Sequence, residues 1–177
     1  MIELETEHLI LRQWKEDDFL PYSRLTANKE TMKFFPKMLT QKESDIAANK
    51  FQNLIVKRGW GFWAIEEKET SLFLGYAGLH APKTKFPFSP CVEIAWRVDK
   101  KYWENGYVLD LGKVILKYAF EVLKLNEVVY FSSIHNKKAE QIMQQLDMIK
   151  EKKTFCHSFV EKNHRLSEHY LYRIKNI

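Results

Sequence analysis

The stretch Val92 to Lys113, VEIAWRVDKKYWENGYVLDLGK, changes its residue period across a short turn, and that change decides how the chain is read. Val92, Ile94, Trp96 and Val98 alternate with Glu93, Ala95 and Arg97, the two-residue repeat of a strand with two different faces. From Val108 the spacing becomes three or four. Val108, Leu111, Ile115, Ala119 and Val122 fall on one helical stripe, with Lys113, Lys117 and Glu121 on other faces. Asn105 and Gly106 lie between, and both tolerate the left-handed backbone angles of a tight turn. A strand, a turn and a helix start in this order can gather backbone N–H groups at the positive end of a helix dipole, where they bind phosphate without help from a basic side chain.

The rest of the chain frames that unit. Its 177 residues, 45% hydrophobic and 14% aromatic, suffice for one domain with a sizeable core. Lys+Arg 28 against Asp+Glu 23 gives +5, a mild excess that suits an anionic ligand but lacks the concentrated charge of a nucleic-acid binder. The basic clusters Lys100-Lys101, Lys137-Lys138 and Lys150 to Lys153 are short and read as solvated surface. Cys91 and Cys156 have no metal-ligand spacing. Glu3, Glu5 and Glu7 stand where a secretion leader would be basic and apolar, and no apolar run approaches the roughly 20 residues of a membrane span. The expectation is a cytoplasmic protein with free thiols and no membrane or nucleic-acid partner, as monomer or homodimer.

Before the central unit, His8 to Gln13 reads as a strand, and Glu16-Asp17-Asp18 opens a helix to about Ala27. A second short helix is expected after Asn28. Thr40 and Glu43 form a capping box before a longer helix that ends near Gly59, with Ala47, Phe51, Leu54 and Ile55 as its buried stripe. Phe62 to Glu66 and Leu72 to Leu79 read as a hairpin, in which Gly75 and Gly78 mark a bulge or a close approach to the backbone. A loop from Ala81 to Pro90 follows. After the central helix come a strand over Val128 to Ser133 and a helix capped by Asn136, with Ala139, Ile142, Met143 and Leu146 inward. Two strands, Thr154 to Val160 and Leu166 to Ile174, close the chain. The fold class is α/β (α+β), one domain over 1–177.

In this order the segments resemble a known family. Thr6 to Arg12 with Glu16-Asp17-Asp18-Phe19, Leu74 to Leu79, Val92 to Trp96, Tyr102 to Tyr107, Asn136 to Ala139 and His169 to Tyr172 are similar to the Gcn5-related N-acetyltransferases (GNAT), within them to the ribosomal-protein N-terminal acetyltransferase branch. The resemblance implies a mixed, mostly antiparallel sheet splayed near its middle and flanked by helices. It also implies direct acetyl transfer from acetyl-CoA to a primary amine, either a protein N-terminus or a small molecule; from the residues themselves, no combination of histidines or cysteines supports a metal. The alternative is a non-catalytic acyl-CoA-binding or interaction module with the same fold.

The resemblance also implies roles. The turn Trp103, Glu104, Asn105, Gly106, Tyr107 and Val108 would hold the pyrophosphate, with Gly106 at the fixed glycine of the family pattern, Trp103 in place of Gln or Arg, and Val108 in place of a small residue. The amides of Trp96, Arg97 and Val98 would line up the pantetheine arm, and Asn136 would contact it while capping its helix. Glu93 is the candidate general base, or else a carboxylate facing Arg97 on the same strand face. Met143 stands where the family often has a proton-donating tyrosine, which leaves Tyr172, His135 or solvent to protonate the thiolate. His80, His135 and His169 are each more readily structural than catalytic.

Overall fold

In the computed structural model, which describes residues 3–176, nine strands form one sheet among the described residues. β1 (Leu4–Glu5), β2 (Leu9–Arg12), β3 (Phe62–Glu67), β4 (Phe73–His80) and β5 (Glu93–Val98) follow one another, each antiparallel to the last. Beyond β5 lie β6 (Glu127–Ser133), β9 (Glu168–Lys175) and β7 (Ile149–Lys150), while β8 (Phe155–Cys156) also pairs with β9. The sheet is thus mixed and mostly antiparallel. Its one parallel junction, β5 with β6, is aligned only at Glu93 and Val129, so the strands part immediately beyond.

Helices cover both faces, as the alternation of β3 shows. The Phe62 ring packs 5.1 Å from Phe51 on α2 (Gln41–Arg58), beside α1 (Phe19–Thr26), whereas Trp63 meets Tyr118 at 5.6 Å on the opposite side, where α3 (Tyr107–Lys117) runs. α4 (Lys137–Gln145) packs on α3. Local signals define α2 well. Glu43 N–H donates to Thr40 Oγ1 (3.3 Å), Thr40 N–H donates to Glu43 Oε2 (2.9 Å), and Gly59 ends the helix at φ 82°. The two glycines of β4 are close approaches. A Cβ on Gly75 would lie 2.0 Å from the Arg97 carbonyl oxygen, and one on Gly78 would lie 2.0 Å from that of Gly61.

Four readings change. No helix follows Asn28; its Oδ1 accepts from Glu30 N–H (2.9 Å) and Thr31 N–H (3.2 Å), and turns carry the chain past Pro36. Val122 is 58% exposed, because α3 passes into a π-turn in which Leu123 N–H donates to Tyr118 O, rotating the later residues off the stripe. The polar segment 157–167 folds as turns, so the final hairpin keeps only β8 and β9. Strands β1 and β7, two residues each, were too short to show a period.

One buried ion pair fixes β2 to the start of α1. The Arg12 guanidinium donates to both Asp18 carboxylate oxygens (2.7 and 2.8 Å) and, through Nε, to Glu66 (2.6 Å), with Arg12 and Asp18 nearly inaccessible. Asp18→Ala would leave the guanidinium half-paired in the interior and remove the acceptor of Lys15 N–H. The expected loss is about 3 kcal/mol, a fall of roughly 6–12 °C in Tm for a chain of this length, read by thermal denaturation.

Candidate active site

The divergence of β5 from β6 opens a cleft of about 1100 Å³ between the α2 face and the start of α3. Val129 N–H donates to Val92 O (2.9 Å) and Asp99 N–H donates to Leu74 O (2.9 Å). Since backbone groups alternate sides along a strand, the amides of Trp96 and Val98 turn toward the gap and that of Arg97 turns toward β4. The three amides therefore divide, two to the cleft and one into the sheet. Trp96 stacks on Tyr130 at 4.8 Å across the gap, and both line it.

At the far end, the turn before α3 takes the shape its residues allow. Gly106 is the N-cap of α3 at φ 75°, with open space where a Cβ would stand. Leu109 and Asp110 N–H return to Gly106 O (3.0 and 3.3 Å), which leaves the amides of Tyr107 and Val108 in the unpaired first turn. Trp103 anchors the turn by donating Nε1–H to Val98 O (2.8 Å). Glu104 points to solvent and pairs with Lys138, which offsets its charge. Lys138 itself lines the cleft 5.6 Å over Trp103, a role the short Lys137-Lys138 pair gave no sign of in sequence. Asn105 is exposed, with its N–H on Tyr102 O (3.3 Å). The Tyr107 ring turns away from the cleft to donate its hydroxyl to Glu67 (3.1 Å). Val108 is buried and lines the cleft, and Asn136 accepts from Ala139 N–H (3.3 Å) while donating to Ser132 (3.1 Å).

On the α2 face, Glu93, Ala95 and Arg97 follow one another along the cleft wall. Glu93 is the one carboxylate among the residues lining it, and burial pushes its pKa up to about 8. It makes no ion pair with Arg97, which lies four residues on, about 13 Å along the strand. Its register partner is His80, held neutral with a pKa near 4 by burial and by the neighbouring Arg58 and Lys50 charges. His157 and His169 also line the cleft and are depressed by burial, His157 to about 4. His135 is exposed and apart. Tyr172 lies in the core, 2% exposed and off the cleft wall, with burial raising its pKa; Met143 is fully buried. Among the described residues no cluster of His, Cys, Asp and Glu could hold a metal, and both cysteines are free.

Residues 8–149 match the family model described as Acetyltransferase (GNAT) domain. The chain belongs to the GNAT acetyltransferases. This GNAT acetyltransferase is 23% identical to the uncharacterized N-acetyltransferase YoaA of Bacillus subtilis, over 84% of its own length and 83% of the relative's. Its fold superposes on a GNAT-family acetyltransferase from Bacillus anthracis with a TM-score of 0.81 (20% identity, 99% of both chains). It also superposes on a ribosomal-protein-S5-alanine acetyltransferase from Vibrio fischeri at 0.79 (16%, 99% and 97%) and on spermidine N-acetyltransferase from Vibrio cholerae, solved with CoA and spermine, at 0.75 (18%, 97% of both). The GNAT membership makes the protein an acyltransferase rather than a non-catalytic module. No helix among its described residues is long and apolar enough to cross a membrane.

Proposed function

We propose that this GNAT acetyltransferase moves the acetyl group of acetyl-CoA directly to a primary amine, with Glu93 as the base. The observation that carries the reading is a lone carboxylate on the wall of a cleft that opens where β5 and β6 part. The residues fit the pyrophosphate and pantetheine arm of CoA. The Tyr107 and Val108 amides make an anion cradle at the helix start, and the Trp96 and Val98 amides supply strand-like contacts along the arm. The cofactor supplies an acetyl thioester. In the transfer the amine nitrogen bonds to the acetyl carbon as the carbon–sulfur bond breaks, and the ammonium proton passes to Glu93 directly or through water. The attacking nitrogen gives its second proton to solvent and the departing thiolate is protonated from solvent, since Tyr172 does not reach the cleft. An amide that turns into the gap can stabilise the developing oxyanion. Calorimetric titration with acetyl-CoA is expected to give a Kd of about 1–100 μM, with thiol release once an amine is added; no binding at millimolar acetyl-CoA overturns the reading.

A further inference from the structure

The cleft wall on the α2 face, across from the turn before α3, is basic. It carries Lys50, Lys57 and Arg58 from α2, Lys83 from the loop after β4 and Arg97 from β5, against the single carboxylate of Glu93. Among the described residues the ion-paired arginines are Arg12 and Arg173, so Arg58 and Arg97 reach the cleft with no acidic partner. Arg58 is otherwise engaged. It stacks 3.7 Å over Trp60 and donates Nε–H to Trp60 O (2.9 Å).

Arg97 is different. Its guanidinium lies 3.8 Å over the Phe35 ring and 5.5 Å from Tyr76, yet its Nε is buried with no hydrogen-bond partner. A buried guanidinium N–H left unmatched costs free energy, and ring stacking engages the guanidinium face while leaving its donor edge unmatched on a side chain that lines the cleft. The partner that matches such an edge is a carboxylate or a phosphate, held by paired charge-assisted bonds. Ala95, between Glu93 and Arg97 on the same face, is small enough to leave a lane joining them.

We propose that the acceptor is an amine that also carries an acidic group, a carboxylate or a phosphate, and that Arg97 binds that group while the amine reaches Glu93. The surrounding lysines and Arg58 add to the attraction and exclude polycations. They also disfavour the ammonium form of the bound amine, which favours the neutral nucleophile that transfer requires. This rests on the acetyltransferase reading above and names its substrate class.

The test compares glutamate, phosphoethanolamine and spermidine, in wild type and in Arg97→Gln and Arg97→Lys. Two readouts serve: acceptor KM from thiol release, and calorimetric binding of each acceptor with and without CoA, which needs no turnover. One or both acidic amines should be preferred over spermidine at least tenfold, and the better of the two identifies the acid. Arg97→Gln should weaken that acceptor about 10–100-fold with acetyl-CoA affinity unchanged, and Arg97→Lys should recover part of the loss. Spermidine binding or reacting as well as the acidic amines overturns the proposal. So does an Arg97→Gln protein, folded by thermal denaturation, that keeps wild-type affinity for them, and so does a lack of binding by both acidic amines. Failure of acetyl-CoA to bind is a separate result that strikes the catalytic reading instead.

Discussion

Glu93→Gln is expected to lower kcat/KM by about 10²–10⁴-fold, the usual contribution of a positioned general base, with acetyl-CoA affinity little changed. The pH profile carries more information than the loss itself. With its pKa pushed up to about 8, Glu93 is mostly protonated at neutral pH, so wild-type kcat/KM should climb with pH and level off above about 8. In the glutamine variant that limb should disappear, leaving only the ionisation of the amine acceptor. A profile of unchanged shape in the variant would remove Glu93 from the mechanism.

The same residue makes an opposite prediction for stability. An unfolded glutamate ionises near its ordinary value of 4.3, whereas the folded one keeps its proton to about 8. Between these values the unfolded state has lost a proton that the folded state holds, so folding becomes less favourable as pH rises and the penalty is complete above pH 8. Below about pH 4 it is absent. Glutamine cannot ionise, so the variant should gain about 1–3 kcal/mol over wild type at pH 9, read as a higher Tm, with the difference shrinking toward pH 4. An inactive enzyme that is more stable in alkali is the signature of a carboxylate held in the cleft for chemistry rather than for packing.

What could be read in sequence was local. The alternation of Val92 to Val98, the Thr40–Glu43 box and the Gly59 stop each depend on neighbours in the chain, and each element formed where its signal lay. The readings that failed depended on something else. Val122 lost its place to the π-turn over Tyr118–Val122, and the segment after Asn28 was taken by that residue's own side chain. The site was legible to the extent that it is backbone. The Gly106 turn follows from pattern, the division of the β5 amides had to wait for the pairing with β4, and side chains that meet across distant segments follow from neither. Arg97 stacks on Phe35, more than sixty residues earlier and in the stretch expected to be helical, and Lys138 neutralises Glu104 across 34 positions. That Arg97 shares a strand face with Glu93 was visible in sequence; its lack of a hydrogen-bond partner was not.

Gly78→Ala is expected to be among the most destabilising single-methyl changes near the site. The residue has φ 155°, which an L side chain rarely adopts, and the new Cβ would fall 2.0 Å from the Gly61 carbonyl oxygen and 2.9 Å from Trp63 Cε3. Neither neighbour can give way cheaply. The Gly61 oxygen accepts from Leu79 N–H (3.0 Å), and Trp63 is fully buried. Relief would require β4 to move away from the end of β3, and with it the register that sets Gly78 opposite Ala95 on the cleft strand. The loss should exceed about 4 kcal/mol, seen as insoluble expression or a Tm lowered by more than about 10 °C. Gly106→Ala is the control. It also has a positive φ, 75°, but nothing lies within 4 Å of its Cβ, so only the left-handed conformation is penalised, by about 1–2 kcal/mol. If the two alanines cost the same, backbone angle alone explains both glycines; a large gap between them measures how closely β3 and β4 must approach for β5 to present Glu93 to the cleft.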